Sequence, residues 1–185
     1  MDTGGVWMTE QPTADFAILV DAMVRDAAVP GSEALEKIAN ALGRLFGVAS
    51  DEVAVLSLNA KAKTLKFVIP EKLSTIGTIP LSSATALAAR TARERRPELV
   101  NNFTSSRHAS VFEGVPLGRD PRETIQKIMS APVLRETRVC GVVQISRKGR
   151  SVSDAGADFT QKDLRALTLL SPTLDIFLNL CHPDA

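Results

Sequence analysis

The chain has 185 residues with 44% hydrophobic and 23% charged side chains, enough for one core of ordinary size in a single domain with tails. Its net charge of +1 gives no bulk attraction to nucleic acid or to a membrane surface, and only 4% aromatics leaves little for base stacking. Two cysteines, Cys140 and Cys181, cannot make a disulfide framework or a zinc set.

The N-terminal residues 1–13 read as a flexible tail with acidic residues and no apolar core, so they are not a secretory signal. No apolar run reaches the length of a membrane span. These features place the expected location in the cytoplasm. From Phe16, apolar residues recur at Leu19, Val20, Met23 and Val24, which is helical spacing. Pro30-Gly31 ends that helix, and Ser32 is the expected N-cap of a second one carrying Leu35, Ile38, Leu42 and Leu45.

The period then changes. "DEVAVLSLN" and "TLKFVI", joined by a polar turn, read as paired strands, followed by a short strand "IGTIPL". Ser82 is placed to cap a helix of small residues, "SATALAARTARERR", and "PELVNN" is a short strand. The stretch from Asn102 to Thr124 has no sustained period, and a loop of that length is usually a lid, a binding loop or disordered. Its apolar Val111, Phe112, Val115 and Leu117 suit a lid or a plug equally. Two long strands, "QKIMSAPVLRE" and "RVCGVVQISRK", turn tightly at Glu136-Thr137. The closing helix starts near Thr160 and should break near Ser171, because Pro172 removes a backbone donor.

This order predicts an α+β fold: a central antiparallel sheet of five to six strands, terminal helices on one face, and a helix plus the long loop on the other. The domain is expected over 14–181, with 182–185 as a tail.

Strand alternation puts Cys140, Val142, Gln144 and Ser146 on one face of their strand and Val139, Gly141, Val143 and Ile145 on the other. Cys140 reads as a packing residue, since reactivity needs thiolate character and exposure. His108 lies among Arg107, Ser105, Ser106 and Asn102, and can either bond a ligand or stand as a loop histidine. With His182 in the tail, no histidine pair has metal-ligand spacing. Asn101 and Asn102 open the long loop, and asparagine there offers both donors and an acceptor or simply makes a turn. Glu123 and Thr124 stand at its other end, and Thr85 and Ala88 on the small-residue helix are candidate wall positions. "RTARERR" reads as a solvated helix terminus. Thr160 with Asp163 predicts a capping box, with Phe159 and Leu164 as its hydrophobic staple. No catalytic constellation is evident.

Three segments in this order, "IPLSSATALAARTARERRPELVNN", "IMSAPVLRETRVCGVVQISRK" and "FTQKDLRALTLLSPTLDIFL", resemble a GAF domain over residues 15–181. Against the Asn-Lys, Phe, Asp-Glu signature of cyclic-nucleotide-binding members, Lys148, Phe159 and Asp163 match, while Arg147 and Leu164 stand at the Asn and Glu positions. The resemblance implies a Lys148–Asp163 salt bridge behind the pocket and weakens cyclic-nucleotide specificity. It also implies a stand-alone, small-molecule-binding sensory domain that homodimerises through its terminal helices and acts on a separate output protein. Two alternatives stay open: a free methionine sulfoxide reductase-like thiol enzyme, disfavoured because the long loop holds no cysteine, and a ligand-free scaffold. The ligand, and whether haem or another metal binds, are left undefined by the resemblance.

Overall fold

The computed structural model describes residues 10–26, 28–103 and 120–182. Two helices open the chain, α1 (Glu10–Asp26) and α2 (Ser32–Phe46). α1 therefore begins inside the stretch read as tail. In α2 the residues Leu35, Ile38, Ala39, Leu42 and Phe46 are buried, as their 3.6-residue spacing requires. Its N-cap is Gly31, not Ser32, which is the first helical residue. The helix stops at Gly47, whose φ of 63° is left-handed and whose N–H bonds the Gly43 carbonyl, a closure that favours glycine.

Six antiparallel strands follow: β1 (Val53–Asn59), β2 (Thr64–Ile69), β3 (Thr78–Pro80), β4 (Glu98–Val100), β5 (Thr124–Arg135) and β6 (Arg138–Gly149). Their order across the sheet is β3-β2-β1-β6-β5-β4, so the last strand lies beside the first in the middle of the sheet. Helix α3 (Leu87–Glu94) sits between β3 and β4 in the chain. It is shorter than the periodicity suggests. Ser82 does not cap it; the chain bends through Ser83, whose Oγ accepts from the Ala86 N–H, and the helix starts after Ala86. The closing helix is two, α4 (Gln161–Leu169) and α5 (Ser171–Cys181), with Pro172 in the first turn of α5 and a bend of 48° between them.

The two faces of the sheet are packed differently. On one face α1, α2, α4 and α5 cover a single continuous cluster that includes Phe16, Val20, Ile38, Leu42, Met129, Ile145, Leu167, Leu174 and Phe177. On the other face the described apolar side chains form two separate clusters. One gathers Leu56, Leu65, Phe67, Leu73, Ile79 and Val142 under Ala88, Ala89 and Ala92 of α3. The other holds Leu87, Phe103 and Ile128 with Val100 and Ile125.

Strand alternation is broken once at a decisive place. Val133 pairs with Gly141 and Leu134 pairs with Val139, so Cys140 is an extra residue, a β-bulge. Beyond the bulge Gly141, Val143 and Ile145 face the terminal helices, as expected, but Cys140 joins them instead of Val142 and Gln144. Val139 packs with Val142 in the α3-side cluster. A strict period of two therefore misplaces Cys140 and Val139. No single helix among the described residues is long and apolar enough to cross a membrane.

Candidate functional site

Between the two clusters of the α3 face runs a row of polar side chains. The register sets it: Ala54 of β1 lies opposite Gln144 of β6, Gln144 opposite Ser130 of β5, and Ser130 opposite Glu98 of β4. Gln144 Nε2 donates to Ser130 Oγ at 3.1 Å, and Ser130 Oγ shares a 2.7 Å hydrogen bond with Thr91 Oγ1 of α3. Ser130 and Thr91 are 0% and 1% exposed. Gln144 and Ala54 are only half-buried, although they stand in the two central strands. Solvent thus reaches the middle of the sheet on this face.

The charges around the row are paired. Arg90 of α3 holds Glu98 through two bonds of 2.5 and 3.1 Å. Lys148 Nζ donates to the Asp51 carbonyl at 2.8 Å and lies 3.4 Å from its carboxylate. The buried Glu52 accepts from the backbone N–H groups of Lys148 and Ala49, at 2.7 and 2.9 Å. Ser146 Oγ donates to the Glu52 carbonyl, and Gln126 Nε2 to Thr124 Oγ1 and the Gly149 carbonyl.

The residues singled out from the sequence fall into different places. Thr85 is exposed in the bend before α3, and Asn102 is exposed directly after β4. Glu123 is half-buried and Thr124 opens β5. His108 lies outside the described residues. Asn101 faces the terminal helices. Its Nδ2 donates to the Phe159 carbonyl and its Oδ1 accepts from the Phe159 N–H, both at 2.9 Å. The alternation that puts Glu98 and Val100 on the α3 side puts Leu99 and Asn101 on the other, so this asparagine pins the start of α4 rather than the lip of a pocket.

The Lys148–Asp163 bridge is not formed. Lys148 bonds Asp51, on the α3 side. Asp163 accepts from the Thr160 N–H at 2.7 Å while Thr160 Oγ1 accepts from the Asp163 N–H at 3.2 Å, a reciprocal capping box. The two side chains project from opposite faces of the sheet. A lysine does brace the helix-side face, but it is Lys127, 4% exposed, bonding the Gly156 carbonyl at 2.5 Å and Asp158 at 2.7 Å. Arg147 donates to the Phe46 and Gly47 carbonyls at the end of α2 and lies 4.7 Å over the Phe159 ring. There it stabilises the negative end of the helix dipole and ties α2 to α4.

Cys140 Sγ lies 3.4 Å from both the Val133 carbonyl and Asp175 Oδ1 of α5. Burial, then the adjacent Asp175 carboxylate, pushes its thiol up to about 12. Burial pushes Cys181 up to about 12 as well. Among the described residues no group of three His, Cys, Asp or Glu side chains could hold a metal ion. An open depression of about 240 Å³ lined by Leu19, Lys37, Asn40 and Arg44 lies on α1 and α2, remote from the polar row.

The sequence pattern missed Thr91, Ser130 and Gln144. A usable signal was present: Ser130 and Gln144 are uncharged polar residues inside the two longest strands, and their registry makes them neighbours.

The solved structures similar to this chain are GAF-fold proteins. The GAF domain of an Acinetobacter phosphoenolpyruvate-protein phosphotransferase matches with a TM-score of 0.66 at 16% identity, covering 96% of this chain and 98% of that one. Residues 122 to 287 of a methyl-accepting chemotaxis protein match with a TM-score of 0.63 at 14% identity, covering 90% and 99%. The free methionine-R-sulfoxide reductase of Neisseria meningitidis, solved with its substrate, matches with a TM-score of 0.60 at 12% identity over 100% of both chains. At such identities the likeness concerns the fold. No curated protein matches the sequence. The family model described as a GAF domain matches residues 32–179, from the first residue of α2 to near the end of α5, and with that match over the six-stranded sheet and its helices the chain belongs to the GAF domain family.

Proposed function

We propose that this protein is a small-molecule-binding sensory domain whose ligand sits on the α3 face of the sheet, over Gln144, Ser130 and Thr91. The observation that carries the reading is the half-buried Gln144 in a central strand, between two apolar clusters that do not meet among the described residues. Ligand sites combine apolar walls with a few convergent polar groups. On the opposite face the buried apolar residues form one continuous cluster among the described residues. In this reading the segment joining β4 to β5 closes over the ligand, and the terminal helices pass the change to a separate output protein. Such coupling requires that the ligand bind the two arrangements with different affinity.

The thiol-enzyme reading is weaker. Cys140 faces the terminal helices, not the polar row, and its proton is held tightly. Dimerisation through the terminal helices belongs to the proposal, because Ile18 of α1, Leu169 of α4 and Ile176 of α5 are 60%, 77% and 44% exposed.

The test is denaturing mass spectrometry and an absorption spectrum on gently purified protein, beside the Gln144→Leu variant. The proposal expects a small molecule in the wild-type sample that is depleted in the variant. A thermal-shift screen of small metabolites complements it. If no compound raises the wild-type Tm and nothing co-purifies, the sensor reading fails and the scaffold reading replaces it.

A further inference from the structure

On the reading that the α3 face binds a small molecule, we infer that its ligand is an uncharged molecule with an apolar body and one amide-like polar edge. The argument starts from what the floor leaves open. Gln144 spends one N–H on Ser130, and its second N–H and carbonyl oxygen have no partner among the described residues. Ser130 and Thr91 share one hydrogen bond, while the Gln144 N–H is received by Ser130. Two hydroxyls own two O–H donors, and the shared bond consumes one. The other has no acceptor among the described residues, although both residues are buried. Turning the Gln144 amide over would let Ser130 donate to its oxygen and leave two N–H donors open instead. In either orientation the open groups are uncharged.

The charged groups bordering the row are committed. Arg90 and Glu98 hold each other, Lys148 holds Asp51, and Glu52 receives two backbone N–H groups. A carboxylate, phosphate or ammonium placed over Gln144 would have to break one of these pairs or lose its hydration without a counter-charge from the described residues, and an uncompensated charge in such a site is costly. A neutral ligand meets no such penalty. Its apolar body fits between Leu56, Phe67 and Val142 on one side and Ile128 and Phe103 on the other. A polar edge carrying a carbonyl beside an N–H answers the free amide of Gln144 in kind.

The experiment uses the full chain, ¹⁵N-labelled, titrated in parallel with ε-caprolactam, with its ring-opened zwitterion 6-aminohexanoate, and with inorganic phosphate. The readouts are the Gln144 side-chain amide and the backbone amides of Thr91 and Ser130. The Asn101 side-chain amide, bonded to Phe159 on the other face, is the control. Expected is that the lactam moves the first three signals and not the control, that both charged probes leave all four in place, and that Gln144→Leu weakens the lactam about tenfold with the control unchanged. If 6-aminohexanoate or phosphate moves the Gln144 signals with affinity equal to the lactam's, the neutral-ligand inference is overturned while the site stands. If Gln144→Leu binds the lactam as the wild type does, the amide-edge assignment is overturned. If no probe moves any of the three signals, the site reading falls with it.

Discussion

Cys140 separates the binding-module and thiol-chemistry readings, and its alkylation rate is the sharpest check. An ordinary thiol titrates near 8.5, so at pH 7.5 about a tenth of it is thiolate. Pushed up to about 12, Cys140 holds about one thiolate in thirty thousand, a loss of about 3,000-fold. The more basic thiolate is the stronger nucleophile, with a Brønsted slope of about 0.4–0.5, which returns about 40-fold. Iodoacetamide should therefore modify Cys140 in the native protein about 100-fold more slowly than in protein unfolded in urea, before any shielding by α5. Peptide-resolved mass spectrometry after timed quenching measures both rates. Native labelling within about threefold of the unfolded rate would refute the reasoning and reopen thiol chemistry at this position. The same protonation state has a signature in stability. Between about 8.5 and about 12 the native chain keeps protons at Cys140 and Cys181 that the unfolded chain has lost. The unfolded state then binds fewer protons, so stability is full below that window and falls as pH rises through it. A Cys140→Ser, Cys181→Ser variant should flatten that part of the urea-unfolding profile.

Three further outcomes follow from contacts already described. Gly141→Ala would place its Cβ 2.4 Å from the Leu56 carbonyl oxygen and 2.4 Å from Leu178 Cδ1, and the backbone oxygen cannot swing away. Overpacking of about 1–3 kcal/mol, less the small entropic gain of removing a glycine, predicts a loss of about 2 kcal/mol and a Tm lower by about 4–8 °C; an unchanged Tm in calorimetry counts against the register of β6. Asn101→Ala removes both bonds to Phe159 and should cost about 1–3 kcal/mol in urea unfolding while leaving ligand binding on the α3 face intact; loss of binding without loss of stability would restore Asn101 as a ligand residue. If the terminal helices form the proposed dimer, light scattering gives twice the chain mass of 19.8 kDa, and Leu169→Glu with Ile176→Glu gives the monomer; a wild-type monomer at every concentration tested would remove the dimer.

The architecture was legible because its signals are periodic and local. Helical spacing in α2, the tight turn at Glu136-Thr137 and the break at Pro172 are each local signals, and the structure bears them out. The capping box at Thr160 and Asp163 was legible for the same reason, since its two partners are three residues apart. The site was less legible because its geometry is set by registry between distant strands. Thr91 and Ser130 lie 39 residues apart, and their hydroxyl contact exists only because β5 is paired with β4 on one side and β6 on the other. The pattern also failed at both Lys148 and Asn101, where the residue type suited the expected role but the strand turned it to the other face.

The misplacement of Cys140 and Val139 has a separate physical source. A period of two carries a side chain to a given face only while the ladder is unbroken, and this sheet has bulges on three strands, between Val55 and Leu56 in the β1–β2 pairing and at Gln126 and Cys140. Each one adds a residue and resets the phase. The bulge at Cys140 is what turns the thiol toward α5 and Asp175 while leaving Val142, Gln144 and Ser146 on the α3 side. Without it, the phase that puts Val142 and Gln144 on the α3 side would put the thiol there too, with Val142 between it and Gln144. The extra residue thus sets two phases along one strand: before it Val139 lies on the α3 side, and after it Val142 and Gln144 do.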